Sequence, residues 1–330
     1  HYAKKVANKF NFIYHELELN PNIIDLLPKI IYQLDEPLTD PAAINTFLLS
    51  EMARDEGIFV MLNGMGGDEI FGGYRKYLAC LGAAVYQKIT PQFVSKKIET
   101  YFENIKVANN TKGFRNLRWT KRFFSFSSLP PFERFLYSDL ALKSDDFRDL
   151  FLSKPDYFDT YFYKVQKSLF EKYKISYLTK MCLIDTKFFL QEHNLLYSDK
   201  ASMLAGIESR PPLTDHRIVE FMFSLPQKFR IKFNTQKYLL KKVSEKYLNK
   251  EIIYRPKAPF GAPLRSWIRR DLKSMIDDLL SENEIKKTNI YDYKAVKKII
   301  EDDRNGLQDN SFFIYQILST QLWLKTFFEN

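Results

Sequence analysis

The chain has 330 residues, of which 45% are hydrophobic and 27% charged, which is an ordinary composition for a globular protein. No stretch approaches the roughly 18 consecutive apolar residues of a membrane span, and the first residues lack the apolar core of a secretory signal. The net charge of +10 raises nucleic acid as a partner. The basic residues concentrate at 112–124 and 237–246 among regularly spaced apolar residues, so solvated helix faces explain them and nucleic acid is not the expected partner.

The cysteines and histidines argue against a zinc site. Cys80 and Cys182 lie in apolar surroundings, which is typical of buried free thiols in a reducing compartment. The four histidines show no zinc-ligand spacing, and no Cys-x-x-Cys pair occurs. The sequence therefore favours a cytoplasmic protein without zinc.

Residues 1–80 alternate between helical and extended patterns. The first ten residues have the pattern of a helix end. Residues 11–19 alternate apolar and polar side chains, which predicts a strand. Residues 22–34 have helical spacing, and Pro28 is expected to interrupt that helix.

A second helix and a strand follow with stronger signals. Asp40 can cap a helix that has Pro41 at its first position and Gly57 at its C-terminal stop. The short apolar run at 58–62 is typical of a buried strand in a parallel sheet. Helices and strands alternating over short connections indicate an α/β fold with a parallel sheet, in which ligands gather at the carboxyl ends of the strands.

Beyond residue 80 the pattern becomes predominantly helical. Segments with helical periodicity cover residues 86–105, 159–173, 273–285 and 310–328. We therefore predict a partial α/β core over residues 1–80, followed by a helix-rich part of the same domain over residues 81–330.

The most distinctive motif is the loop LNGMGGDEIFGGY at residues 62–74. It is not a dinucleotide fingerprint, because Glu69 stands where a glycine is needed, and no Gly-Lys-Ser/Thr ends it as in a Walker loop. The carboxylates of Asp68 and Glu69 should repel phosphate unless Mg²⁺ lies between the carboxylates and the phosphate. This cation takes oxygen ligands from both groups. Backbone N–H groups freed by the glycines could then reach the phosphate oxygens. The loop therefore predicts a site for magnesium and a nucleotide.

Two further segments gather polar residues. The stretch 185–221 contains Asp185, Asp199, Lys200, Ser202, Glu208, Arg210 and Asp215. Within it, Ser198 or Asp199 is readable as the N-cap of a helix, and the prolines after Arg210 as the end of one. The stretch 254–267 has three prolines and one glycine, which stiffen a loop around Lys257. A lysine held in this way is a candidate partner for phosphate or an oxyanion.

Three blocks, in this order, resemble the synthetase domain of glutamine-dependent asparagine synthetases. The loop at 62–74 is similar to the family's Leu-Ser-Gly-x-Gly-x-Asp-Glu-Leu-Phe-Gly-Gly-Tyr. DKASM and ESRPPLTD resemble its Asp-Arg-x-Ser-Met and Glu-x-Arg-x-Pro-Phe-Leu-Asp, and KAPFGAP followed by Trp267 resembles its Lys-x-Gly-Phe-x-x-Pro…Trp. DEPLTDPAAI at 35–44 is similar to its Asp-Glu-Pro-x-x-Asp segment, so the resemblance spans roughly residues 1–270.

The resemblance implies an ATP-pyrophosphatase-type fold and ATP-dependent amide formation. ATP and Mg²⁺ would activate a carboxylate, aspartate first of all, as an acyl-adenylate that ammonia from glutamine attacks. By the same resemblance, Asp68 would hold Mg²⁺, and Lys257 would stabilise the charge developing on pyrophosphate and the acyl group. The nucleotide-binding positions would be Leu62, Asn63, Gly64, Met65, Gly66, Gly67 and Glu69. The substrate-binding positions would be Asp199, Lys200, Ser202, Glu208 and Arg210.

The resemblance also implies segments that this chain does not contain. The family's pyrophosphate loop, Ser-Gly-Gly-x-Asp-Ser, is absent and normally lies just upstream of a point like His1, and a glutaminase domain precedes it. We therefore expect both segments in a longer parent protein, or else a chain that cannot bind ATP productively. A small-molecule carboxylate and ammonia are the expected partners, and a homodimer is compatible with the family.

Two substitutions leave the acceptor open. Met65 stands where the family commonly has Glu, and a thioether cannot act as a general base. Lys200 replaces an Arg and loses its bidentate fork. The first interpretation is amide formation on aspartate. The alternatives are an amidotransferase or ligase of the same fold acting on a sugar carboxylate or a peptide, an RNA-binding or tRNA-modifying relative, and an inactive fragment.

Overall fold

The computed structural model describes residues 1–18, 21–104, 115–138, 148–256 and 261–328. Contacts divide the chain into two units. The first comprises His1–Asp35, Asp40–Gly73 and Phe188–Ala262, and the second comprises Glu36–Thr39, Tyr74–Lys187 and Pro263–Asn330. The domain boundary expected near residue 80 stays a prediction.

Helices make up most of the described residues, and the strands are few and short. The helices are α1 (Tyr2–Phe10), α2 (Ile23–Leu34), α3 (Ala42–Asp55), α4 (Arg75–Ile89), α5 (Gln92–Asn104), α6 (Arg115–Ser127), α7 (Pro131–Tyr137), α8 (Tyr161–Lys172), α9 (Tyr177–Ile184), α10 (Leu196–Leu204), α11 (His216–Ser224), α12 (Tyr238–Ser244), α13 (Lys250–Ile253), α14 (Leu264–Ser266), α15 (Lys273–Leu279), α16 (Glu282–Thr288), α17 (Tyr293–Arg304) and α18 (Ser311–Phe328). The strands are β1 (Val60–Leu62), β2 (Glu208–Arg210), β3 (Ile231–Lys232) and β4 (Thr235–Gln236). Among the residues that the structure describes, Asp185–Leu195 and Trp267–Asp271 are π-helical.

Helix α2 passes through Pro28 without a break, so the predicted interruption is wrong. A proline inside a helix removes one backbone hydrogen bond and crowds the preceding turn. Against that cost, burial of a large aliphatic side chain stabilises by roughly 1.5–3 kcal/mol. The buried side chains of α2 are Ile23, Leu27, Ile30, Ile31 and Leu34.

Helix α3 follows the predicted start and stop closely. Asp40 Oδ1 accepts a hydrogen bond of 2.8 Å from the backbone N–H of Ala42, and Pro41 is the N-cap, so the helix begins one residue later than expected. Gly57 lies just past the end with a φ of 76°, a conformation that costs glycine little.

The parallel sheet is present, but it is small and its first strand is exposed. β1 pairs in parallel with β2, with Val60 opposite Glu208 and Leu62 opposite Arg210. The prediction of a buried strand is wrong, because Phe59 and Leu62 are 64% and 72% exposed. In the described part of the chain this sheet has two strands, and two strands alone cannot bury their faces.

Three local predictions are wrong. Residues 12–18 form no strand: α1 ends at Phe10, its C-cap Asn11 has a left-handed φ of 53°, and none of the described strands pairs with these residues. Asp199 begins no helix, because α10 continues directly from the π-helical segment. Arg210 ends no helix and lies in β2, as the extended preference of a residue before proline allows.

The described residues of the second unit are mostly helical, and they contain a buried ionic contact. Lys76 Nζ lies 2.9 Å from Asp185 Oδ1, and the hydroxyl of Tyr77 donates to Asp185 Oδ2 at 2.5 Å. Cys80 and Cys182 are buried free thiols, which confirms the prediction. None of the helices formed by the described residues is both long enough and apolar enough to cross a membrane.

Candidate functional site

The loop at residues 62–74 leaves the carboxyl end of β1, as predicted for a ligand site in a parallel sheet. Asn63 anchors its first turn: the backbone N–H donates to Arg210 O at 2.9 Å, and the side-chain amide donates to Ser209 Oγ at 2.8 Å. The backbone N–H of Met65 then donates to Asn63 Oδ1 at 2.9 Å. Asn63 therefore fixes the loop against β2 and keeps its amide oxygen inside the loop.

The glycines of the loop serve two purposes. A Cβ on Gly66, whose φ is +81°, would lie 2.7 Å from Thr214 Cγ2, and a Cβ on Gly73 would lie 2.0 Å from Asp68 Oδ1. These positions need glycine for packing and backbone conformation. A Cβ on Gly64 would meet no atom of the described residues within 4 Å. Among those residues nothing requires a glycine at this position, and open space lies beside its backbone.

Asp68 forms an ion pair with a lysine from the following segment. Lys237 Nζ lies 3.1 Å from Asp68 Oδ1, and the two side chains are 27% and 24% exposed. Lys241, one turn along α12, has its pKa lowered by burial and then by the charge of Lys237. The basic run 237–246 is therefore not only a solvated helix face, because two of its ammonium groups lie near each other and one reaches the loop.

Glu69 points into the protein. It is 2% exposed, and its Oε1 accepts a hydrogen bond of 2.7 Å from the side-chain amide of Asn194. Burial raises the pKa of the Tyr197 phenol, and the negative charges of Asp40 and Glu69 raise it further, so the three groups lie near one another. Glu69 therefore ties the loop to the segment 193–197, and its role at the nucleotide stays a prediction.

Asp68 and Glu69 are not equally suitable as ligands of Mg²⁺. No group of three or more His, Cys, Asp or Glu residues in the described ranges is placed to hold a metal ion. Mg²⁺ that arrives on phosphates needs only one or two protein carboxylates. Both carboxylates have protein partners, Asp68 in Lys237 and Glu69 in Asn194. Asp68 is partly exposed and Glu69 is buried, so Asp68 fits that requirement better.

The predicted substrate positions fall in two places. In α10, Asp199 is exposed, Ser202 is buried with its hydroxyl donating to Asp199 O at 3.1 Å, and Lys200 Nζ donates to Leu34 O at 2.8 Å. Glu208 and Arg210 are exposed on β2 and form an ion pair of 2.8 Å. The pair on β2 lies directly beside the loop, whereas Lys200 and Ser202 hold α10 in place.

Lys257 lies outside the described residues. Its expected role at the pyrophosphate therefore stays a prediction.

The sequence patterns did not single out a polar cluster next to Glu69. Asp40 was predicted only as a helix cap, yet its second oxygen, Oδ2, lies 3.7 Å from His193 Nε2. The His193 ring stacks on Phe189 with centroids 4.9 Å apart, and its Nδ1 is 3.0 Å from Asn194 Oδ1. The sequence shows no periodicity that predicts the π-helical segment carrying His193 and Asn194. The directions of these two side chains were therefore not predictable.

The chain is similar to known proteins over nearly its whole length. It matches the family model described as asparagine synthase over residues 1–325. It is 27% identical to glutamine-hydrolysing asparagine synthetase 1 of Bacillus subtilis (strain 168) over 304 residues, which are 90% of this chain and 45% of that protein.

Two further relatives cover the chain to a similar extent. Glutamine-hydrolysing asparagine synthetase 3 of Bacillus subtilis is 22% identical over 93% of the chain and 43% of its own length. Amidase chyE of Penicillium rubens is 21% identical over 91% of the chain and 46% of its own length. The chain thus spans less than half the length of these relatives. It belongs to the asparagine synthase family.

Proposed function

We propose that the chain carries the amide-forming part of an ATP-dependent reaction, in which a carboxylate becomes an acyl-adenylate and ammonia then displaces AMP. The observation that carries this proposal is the loop at 62–74, which leaves a parallel strand with Gly64 open and one partly exposed carboxylate, Asp68. A small parallel sheet in a mostly helical chain suits an ATP-pyrophosphatase-type fold. The Bacillus relatives are named for glutamine hydrolysis, so ammonia from an attached glutaminase domain belongs to the proposal.

The residues of the loop divide the work between the backbone and one acid. Bound Mg²⁺·ATP supplies the electrophilic phosphorus and the pyrophosphate leaving group. The backbone N–H of Gly64 would bind a phosphate oxygen, because a Cβ at this position meets no atom of the described residues. Asp68 would hold the metal, and Lys237, its ion-pair partner, would offset negative charge. Lys257 is the second cation proposed for the phosphates, as the family resemblance implies.

Aspartate is the first candidate for the acceptor, and Met65 supports a second. Met65 packs against a buried apolar cluster that contains Ile70, Phe71 and Leu190. An apolar side chain there contacts the ammonium group of an amino-acid substrate less favourably than Glu would. A carboxylate without that charged group, on a sugar or a peptide, is the alternative acceptor. The exposed pair Glu208 and Arg210 is the proposed contact for its polar part.

The proposal is tested by pyrophosphate release in the full protein. Mg²⁺·ATP plus aspartate should release pyrophosphate and form AMP, and Asp68→Asn should lower that rate by about 100-fold or more, because the metal loses its protein ligand. Asp55→Asn changes an exposed acid at the end of α3 and should leave the rate unchanged. Wild-type rates from Asp68→Asn would refute the metal assignment.

The acceptor is identified by a panel of carboxylates. Each is supplied with Mg²⁺·ATP and ammonium, and the amide product is measured by mass spectrometry. Rapid conversion of aspartate to asparagine would remove the sugar and peptide alternatives. Replacing ammonium with glutamine then shows whether the full protein draws its nitrogen from glutamine.

A further inference from the structure

We propose that a cavity among the last helices of the second unit binds an organic monoanion, namely a carboxylate carried on a compact apolar body. The cavity measures about 310 Å³. This volume is near the lower end of pockets for small molecules, which measure about 300–1,000 Å³. The cavity lies among the π-helical segment Trp267–Asp271 and helices α15, α17 and α18, in a part of the chain for which the sequence indicated no chemistry.

The floor of the cavity is apolar. Among the described residues that line it are four isoleucines, each 9% exposed or less: Ile268, Ile276, Ile300 and Ile314. They come from four different elements, so the floor forms only when these elements pack together. Water gains free energy when the apolar body of a ligand covers such a surface, in proportion to the area that is buried.

Charged side chains lie at the entrance of the cavity because helical spacing carries them there. On α15, Lys273 lies three residues before Ile276, and on α17, Arg304 lies four residues after Ile300. Residues at these spacings share one face of a helix. Lys273 is exposed and the side chain of Arg304 is 40% exposed, whereas the isoleucines are buried. The cavity therefore joins an apolar interior to a cationic entrance.

The charges at this entrance do not balance. Arg269 Nε lies 3.2 Å from Oδ2 of the buried Asp303, and Arg304 is paired with Asp277. Lys273 lines the cavity but forms no ion pair or hydrogen bond with any residue that the structure describes. Three cations against two carboxylates leave one positive charge without a protein partner. That charge is available to an anionic ligand.

The guanidinium of Arg269 is held in place and still has donors to offer. Asp303 is 1% exposed and accepts hydrogen bonds from Arg269 through Oδ2 and from the backbone N–H of Asn310 through Oδ1. Arg269 Nη2 also donates to the backbone oxygen of Asp303 at 3.4 Å. These two bonds leave other N–H groups of the five-donor guanidinium unused. A ligand carboxylate can accept from them while the buried ion pair stays intact.

The balance of charge and apolar surface selects the class of ligand. One uncompensated ammonium group matches one carboxylate, whereas a phosphate ester brings up to two negative charges to an entrance that already holds two acids. A neutral ligand would leave Lys273 unpaired. An anion without an apolar body would leave the isoleucine floor uncovered. A monocarboxylate with a compact apolar body satisfies both parts of the cavity.

The full protein, labelled with ¹³C in its isoleucine methyl groups, reports where a probe binds. Phenylacetate should shift the methyl signals of the four cavity isoleucines with a Kd of about 1 mM or lower. Isoleucines buried in the first unit, such as Ile23 and Ile44, should keep their signals. Acetate lacks the ring and phenylacetamide lacks the charge, so each should bind about tenfold more weakly or worse.

Two variants test the two parts of the cavity. Lys273→Met keeps an apolar stem and removes the charge, so the Kd of phenylacetate should rise by about tenfold. Ile300→Phe fills part of the floor and should raise the Kd by a similar factor, with its thermal unfolding measured to show that it is folded. The matched control is Lys298→Met, at an exposed position of α17 outside the lining, which should leave the Kd within about twofold. If Ile300→Phe does not fold, Lys273→Met and its control decide.

Several results would overturn the inference. These are unshifted cavity isoleucines at phenylacetate concentrations up to about 20 mM, equal affinity for phenylacetate and phenylacetamide, and an unchanged Kd for Lys273→Met. Phenyl phosphate that binds about tenfold more tightly than phenylacetate would overturn the assignment to a monoanion. None of these measurements involves ATP or amide formation. Failure of this inference therefore leaves the proposed function intact, and failure of the proposed function leaves this inference intact.

Discussion

At the scale of single residues, the loop at 62–74 separates conformational from ligand-binding requirements. Gly66 has a left-handed backbone and a methyl group of Thr214 against it, and Gly73 leaves room for the Asp68–Lys237 ion pair. Gly64 has neither constraint. The same residue type therefore meets different demands within one loop, and substitution by alanine tells them apart.

Alanine at Gly64 should affect nucleotide binding, whereas alanine at Gly66 should affect stability. Gly64→Ala should leave the melting temperature unchanged but raise the Kd of Mg²⁺·ATP by about tenfold, because the new methyl group occupies the space proposed for phosphate. Gly66→Ala should lower the free energy of unfolding by about 1–3 kcal/mol, because its φ of +81° and the Thr214 contact both oppose a Cβ. Urea unfolding and calorimetry of both variants check this. A destabilised Gly64→Ala would contradict the proposed open space.

At the scale of elements, burial decides which local preferences survive. Helix α2 carries Pro28 because its aliphatic side chains are buried, and β2 is a strand although Glu208, Ser209 and Arg210 have weak strand preference. Lys76 and Tyr77 fix the beginning of α4, because both donate hydrogen bonds to the carboxylate of Asp185. Packing and pairing thus outweigh propensity at these positions.

Replacing the proline of α2 should stabilise the protein. Pro28→Ala restores the backbone donor that the helix lacks and removes the crowding of the preceding turn, so we expect the free energy of unfolding to rise by about 1–2 kcal/mol. Ile24→Ala, at an exposed position of the same helix, should change it by less than about 0.5 kcal/mol. Urea unfolding measures both. A destabilised Pro28→Ala would show that the ring itself is needed for packing.

Removing the buried carboxylate of the second unit should be costly. Asp185→Ala leaves the ammonium group of Lys76, whose side chain is 8% exposed, without its acid, and such a loss destabilises by about 3–5 kcal/mol. Asp159→Ala breaks an exposed pair with Lys164 and should cost less than about 1 kcal/mol. Thermal unfolding compares the two variants. Similar losses from both would contradict the importance of burial at Asp185.

At the scale of the whole molecule, two properties of the folded chain stand out: its net positive charge and its buried thiols. The net charge is +10, and within this excess individual lysines pair with acids, as Lys237 does with Asp68. Burial raises the pKa of the Cys80 thiol from its ordinary value near 9 to about 11. An unfolded chain therefore loses this proton earlier as pH rises, so the contribution of Cys80 to stability is lost between about pH 9 and 11.

The two cysteines should report unfolding. Iodoacetamide at pH 8 should modify neither Cys80 nor Cys182 in the folded protein, because both are buried and the Cys80 thiolate is not formed. Modification, followed by mass spectrometry, should appear only with the urea unfolding transition. Rapid modification of either residue in buffer would show that the helices around it open locally.

Much of the candidate site was predictable because its signals are local. A cap residue, a left-handed glycine and a glycine-rich turn after an apolar run act over a few neighbouring residues, so Asp40, Gly57 and the loop 62–74 were readable in order. The partners of these residues were not readable in the same way. Lys237 was predicted only as part of a solvated basic helix, and Glu69 only as a second acid near phosphate.

The sequence by itself determined the family, the loop and most helices, since each depends on residue types at short, fixed spacing. Only the tertiary structure decided that β1 is exposed, that Lys237 balances Asp68, and that His193 faces Asp40. These facts depend on which distant segments meet. Contacts between distant segments are set by the packing of the chain as a whole, which local periodicity does not encode.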